Sequence, residues 1–198
     1  MGTRLTSAFL LGLAALLLMR CGSEPAAPRS TSKPTEIQKA RVAAPAFNAD
    51  SAYAYIAQQV AFGPRVPNTP EHVACGDWLL RELTRHGADV IEQPGLVRAY
   101  DGTILRIRNF IGQFRPENRE RILLFAHWDT RPFADKDTLR MREPIDGAND
   151  GGSGVGVLLE IARLLGADST LDVGMDIVFS MPRITAPPSG VRKTKTPP

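Results

Sequence analysis

The chain of 198 residues is poor in the residues that staple folds or bind metals, with 2 cysteines and 3 histidines. The cysteines are Cys21 and Cys75, and no intramolecular disulfide is expected. No histidine follows His127, and no aspartate or glutamate follows Asp176. No internal repeat is visible, which excludes a solenoid or propeller. Acidic residues are missing from positions 1–20 and again from 181–198. The formal net charge of +3 therefore comes from the ends. Setting aside two basic residues at one end and four at the other leaves eighteen basic against twenty-one acidic residues in 21–180. A mildly acidic body argues against a nucleic-acid partner.

What is present suits one packed domain, with 43% hydrophobic residues. Residues 1–20 read as an export signal: Arg4, then the apolar run Ala8–Met19, too short to cross a bilayer comfortably. Leu18-Met19-Arg20-Cys21 resembles a bacterial lipobox, with Arg20 where a small residue is the rule. It implies export to the periplasm or cell envelope, and membrane attachment through a lipidated Cys21. Residues 21–46 form a Pro/Ser/Thr-rich tether. Residues 181–198, basic and crowded with proline, read as a disordered tail.

The domain occupies 47–180. Asp50 or Ser51 can cap a first helix that buries Ala52, Tyr55, Ile56 and Val60. Thr69 followed by Pro70 opens a second helix, which stops at His86-Gly87. His72 reads as a surface residue and His86 as a cap. Strands are predicted at Asp89–Gln93, Thr103–Phe114, Arg121–His127 and Asp172–Ser180, and a helix at Ser153–Gly166. Asp135–Glu143 is a surface loop by composition. The apolar run in Arg121–His127 predicts a central strand covered on both faces.

The candidate chemistry lies around that strand. His127 and Asp129, two apart at its end, point to the same side. One can bind a metal while the other holds its second ring nitrogen. Asp150 precedes Gly151-Gly152-Ser153-Gly154 at the mouth of a helix and can bind or bridge zinc. The same residues also admit a plain reading, with His127 a satisfied strand-end histidine and Asp150 a helix cap.

Four segments together resemble the zinc-dependent M28-type superfamily: Phe62-Gly63-Pro64-Arg65-Val66-Pro67, the helix after it, Ala126-His127-Trp128-Asp129-Thr130-Arg131-Pro132, and Asp146–Val155. Within it they resemble the exported bacterial glutaminyl cyclases. The resemblance implies a three-layer α/β/α fold around a mixed, mostly parallel sheet. It makes Asp150 a Zn2+ ligand, with an unusual cis peptide after it. In two-zinc aminopeptidases His127 would also be a ligand and Asp129 its support; in one-zinc cyclases that histidine is not a ligand. The implied substrate is a peptide with a free amino terminus. The implied reaction is glutaminyl-peptide cyclotransfer to pyroglutamate, with aminopeptidase hydrolysis as the alternative. The family's later glutamate and histidine have no counterparts here, so the carboxyl-terminal part of the domain is expected to be missing. The chain then reads as truncated or frameshifted and inactive by itself, or as a non-enzymatic envelope protein.

Overall fold

A computed structural model describes residues 44–181. The export segment, Cys21, most of the tether and nearly all of the tail lie outside the described residues. Helix α1 spans Ala49–Ala61, α2 Pro70–Arg85 and α3 Ser153–Ala167. Strands β1 (Asp89–Arg98), β2 (Ile104–Phe114), β3 (Arg121–His127) and β4 (Gly174–Ser180) form one sheet in the order β1-β2-β4-β3.

Local signals set these boundaries. The cap of α1 is Asn48, just before the expected Asp50 or Ser51; its side chain accepts from the Ser51 amide at 3.0 Å. The Asn48 amide in turn donates to buried Glu160 of α3 at 3.0 Å, which ties the two helices together. Helix α2 begins as expected, with Thr69 accepting from the His72 amide and Pro70 in the first turn. His86 is its C-cap. Strand β1 runs five residues past the expected end because it pairs with β2 along its whole length, from Asp89↔Gln113 to Arg98↔Ile104. Pro94 is tolerated there because β1 is an edge strand among the described residues.

The sheet is mixed, as expected, but mostly antiparallel. β1 pairs antiparallel with β2, and β2 with β4; only β3 and β4 run parallel. The physical reason is the length of the connections. Five residues join β1 to β2, which suits a reversal, whereas the β3–β4 connection carries α3 and can make a parallel crossover.

One core lies on one face of the sheet. Phe110 and Phe114 of β2 align with Phe179 and Met175 of β4, and all are buried. Cys75, Leu79 and Leu83 of α2 join them, with Val155, Leu158, Leu159, Ala162 and Leu165 of α3. Helix α3 packs against β3, as expected. The central, doubly covered position expected for β3 is not found. β3 is the outer strand, with Leu123 63% and Phe125 56% exposed. Its alternate residues Leu124 and Ala126 face the core, while the other set has no helix over it among the described residues.

Candidate metal centre

The end of β3 is anchored by its neighbour Trp128, which is fully buried. The Trp128 amide extends the β3–β4 ladder to Ser180 O at 3.3 Å, and the indole Nε1 donates to Arg108 O at 3.0 Å. The indole stacks on His72, with ring centroids 4.2 Å apart and planes 16° apart. His72 is therefore a core residue and not the surface residue expected; only 1% of it is exposed. It sits on the face of α2 that meets Trp128. Burial lowers its pKa to about 4, so the ring is neutral at pH 7. His86 is also buried, with Nε2 3.0 Å from Tyr55 Oη.

With Trp128 turned into the core, His127 and Asp129 come together as their i, i+2 spacing predicts. His127 Nδ1 lies 3.4 Å from Asp129 Oδ1. Asp129 is buried, and His127 is partly exposed. Asp150 arrives from the turn Ala148–Gly152. Its Oδ1 is 3.2 Å from His127 Nε2, and its Oδ2 is 3.2 Å from Arg131 Nε. The structure thus brings His127, Asp129 and Asp150 into one cluster. The peptide after Asp150 is not cis, because the described residues contain no cis bond. Gly151, at φ +96, makes the reversal instead. A methyl group at Gly151 would stand 2.9 Å from Asp129 O and 3.2 Å from His127 Cε1.

Two donors on a tetrahedral zinc stand about 3.3 Å apart when each is about 2.0–2.1 Å from the ion. The His127 Nε2–Asp150 Oδ1 spacing meets that requirement, and it equally suits a direct polar contact. Asp129 faces the opposite ring nitrogen, with its Oδ1 3.4 Å from Nδ1. The residues present thus fit a zinc ion as two of its donors. No group of three or more His, Cys, Asp or Glu side chains suited to a metal occurs among the described residues. Glu160 serves elsewhere: Arg163 holds its carboxylate below the usual range, and it stays buried against α1.

Two participants escaped the reading of spacings. Arg131 lies in the segment Ala126–Pro132, but nothing in the sequence sets it against Asp150. Arg65 is fully buried with no carboxylate of the described residues bonded to it. Its guanidinium donates to backbone carbonyls of Gln59, Gly63, Trp128, Asp146 and Gly147. The available signal was an arginine inside a Gly/Pro-rich loop, where a charge usually faces solvent.

The chain is similar to known proteins. Residues 109–181 match the model of peptidase family M28. The Tannerella forsythia glutaminyl cyclase structure is 56% identical, with a TM-score of 0.73 over 76% of this chain and 52% of its own. A Zn-dependent exopeptidase from Parabacteroides distasonis is 61% identical, with a TM-score of 0.67 over 69% of this chain and 47% of its own. The Bacteroides thetaiotaomicron glutaminyl cyclase bound to N-acetylhistamine is 56% identical, with a TM-score of 0.67 over 69% and 47%. The chain spans about half the length of these structures. No curated protein sequence matches it. By its motifs, its fold and these matches, the chain is similar to peptidase family M28 over residues 109–181 and to the bacterial glutaminyl cyclases over about half their length.

Proposed function

We propose that this domain belongs to a zinc-dependent glutaminyl-peptide cyclotransferase. The observation that carries the reading is the 56% identity to the T. forsythia glutaminyl cyclase over 76% of the chain. The substrate is a peptide with a free amino-terminal glutamine. The α-amine attacks the side-chain amide carbon, a C–N bond forms, and the amide nitrogen leaves with a proton as ammonia. Asp150 would hold the zinc; His127 would join it only in the two-metal arrangement of the aminopeptidases and is not a ligand in the one-zinc cyclases. Bound there, zinc supplies polarisation of a carbonyl. Asp129, 3.4 Å from Nδ1, would orient the His127 ring, and Arg131, 3.2 Å from the second oxygen of Asp150, would steady that carboxylate. The family's proton-carrying glutamate has no counterpart after Asp176. The full site needs about three protein donors and an open position. The described residues bring together no group of three such donors, so residues 21–198 by themselves are expected to show background turnover. In the whole enzyme the open sheet face would be covered by further helices, giving three layers. We further propose export through residues 1–20, with Cys21 as the lipid attachment point. Deleting residues 1–20 should hold the protein in the cytoplasm, and unchanged envelope localisation would refute export.

The test is complementation. Residues 21–198 are combined with the half of the T. forsythia enzyme that this chain does not cover, loaded with zinc, and given an amino-terminal glutaminyl peptide and an aminoacyl anilide. Cyclisation that Asp150→Ala abolishes is the expected result. Anilide hydrolysis without cyclisation would make the aminopeptidase reading correct. A folded, complemented protein with neither activity would leave the non-enzymatic reading. The second reading is favoured specifically by the 61% identity to a Zn-dependent exopeptidase.

A further inference from the structure

A buried guanidinium among carbonyl oxygens is an expensive arrangement unless every N–H is used. Arg65 uses its donors on two separate segments of the candidate centre. Nε donates to Trp128 O at 3.1 Å, the peptide between His127 and Asp129. Nη1 donates to Asp146 O at 2.8 Å and Nη2 to Gly147 O at 2.9 Å, in the turn leading to Asp150. The remaining contacts of Nη1, to Gln59 O at 3.3 Å and Gly63 O at 3.4 Å, anchor the group to the end of α1. The Arg65 carbonyl also accepts from the Thr130 amide at 3.1 Å. Gly147 O, gripped by Arg65, accepts from the Gly152 amide at 3.0 Å and so closes the turn around Asp150. One rigid planar fork thus spans the strand that delivers His127 and the turn that delivers Asp150.

The hydrogen bonds of the Arg65 guanidinium go to backbone carbonyls, so it acts through the backbone. We infer that Arg65 is the positioning residue of this centre: its guanidinium sets the separation of His127 from Asp150, and with it the affinity for a divalent metal. This rests on the two-metal arrangement named above, in which His127 joins Asp150 as a donor. A lysine keeps the charge but presents three donors at one point and cannot bridge both segments.

The test uses residues 21–198 and cobalt as the probe, titrated against a competing chelator and followed by its d–d absorption. Arg65→Lys and Arg65→Met are each expected to weaken cobalt binding about 10- to 100-fold. Leu83→Ala, destabilised in the core by an equal or larger fall in melting temperature, is expected to bind within about twofold of the parent, as a site remote from the change should. Parent-like affinity in a folded Arg65→Met protein overturns the inference. Recovery of affinity in Arg65→Lys overturns it too, since charge and not bridging would then matter. Amide exchange in the parent chain gives an answer without metal or variants. The Thr130 and Gly152 amides are expected to open together, as one unit. Independent opening of Gly152 would show that Arg65 does not hold the turn, and would overturn the inference. A parent that binds no cobalt while these amides open together refutes the metal reading and retains Arg65 as the brace of the two segments.

Discussion

The two faces of the sheet carry similar side chains and meet opposite fates. On one face Phe110, Phe114, Ile177 and Phe179 are at most 3% exposed under α2 and α3. On the other, the register aligns Ile91, Ile111, Val178 and Phe125 in one row across all four strands. In that row Ile91 is 46% and Phe125 56% exposed, and Leu123 beside it is 63% exposed. Hydropathy alone would rank the faces as equals. A covering element is what converts apolar residues into a core, since the hydrophobic effect counts area removed from water. The polar cluster at His127 sits on the uncovered side of β3, in register with Ser180 of β4. The open face and the His127 cluster thus lie on one side of the sheet, and the chain spans about half the length of its relatives.

The largest expected contrast is between equivalent truncations on the two faces. Phe179→Ala removes a fully buried ring and is expected to cost about 3–5 kcal/mol. Phe125→Ala, in the exposed row, is expected to stay within about 0.5 kcal/mol of the parent. Urea midpoints at constant m-value measure both. Equal losses would mean that the open face is covered in solution.

Acid separates the faces next. His72, on the covered side, has a pKa lowered from 6.5 to about 4 by burial, with Arg108 adding to the fall and the Asp129 carboxylate opposing it. The unfolded chain binds this proton at higher pH than the fold does. Stability is therefore complete above pH 6.5, falls as pH drops from 6.5 to 4, and levels off below. The shift corresponds to about 3 kcal/mol. His72→Phe, which keeps an aromatic ring for Trp128, should flatten most of that slope; His86, also lowered by burial, accounts for the remainder. An unchanged slope in His72→Phe would place the acid response elsewhere.

Much of this arrangement is legible in the sequence because the signals are local. Thr69-Pro70 and the apolar stripe of Ser153–Ala167 fix their helices through chemistry within one or two turns. The His127/Asp129 pair is legible because period-two geometry alone brings the two together. What escapes is set by partners distant in sequence. The place of β3 depends on β4 choosing β2 as its other neighbour, and no residue in Arg121–His127 records that choice. His72 looks solvent-facing until Trp128, far along the chain, stacks upon it. Arg65 is the clearest case, because its acceptors are backbone carbonyls, which leave no trace in side-chain identity.

A smaller effect is expected from the ion pair that edges the open face. Arg121 meets Asp176 through two contacts, Nη2–Oδ1 at 2.7 Å and Nε–Oδ2 at 2.8 Å. Its hydrogen bonds hold the Asp176 pKa below the ordinary 3.8. A depressed carboxylate stabilises the fold above its unfolded pKa and loses that contribution as pH falls below 3.8, after the His72 transition is spent. Asp176→Asn is expected to cost about 1 kcal/mol at neutral pH and less in high salt. A loss that persists at about pH 2, well below the ordinary carboxylate range, would show that the side chain acts through packing or its contact with Gln113.

The smallest effect on stability should accompany a visible effect on behaviour. Leu123 and Phe125 stand two apart on an outer strand whose far edge has no strand partner among the described residues. Exposed apolar side chains on an unpaired edge favour self-association through that edge. Replacing both by serine removes little buried area, so the urea midpoint should move by no more than about 0.5 kcal/mol equivalent. Concentration-dependent scattering and dye binding to exposed apolar surface should both fall. The double change should also weaken capture of the complementing half of the T. forsythia enzyme, because that half would cover this face in the three-layer arrangement. If Leu123→Ser with Phe125→Ser leaves both scattering and capture unchanged, the open face is not where the complementing half docks, and the exposure of these residues is incidental.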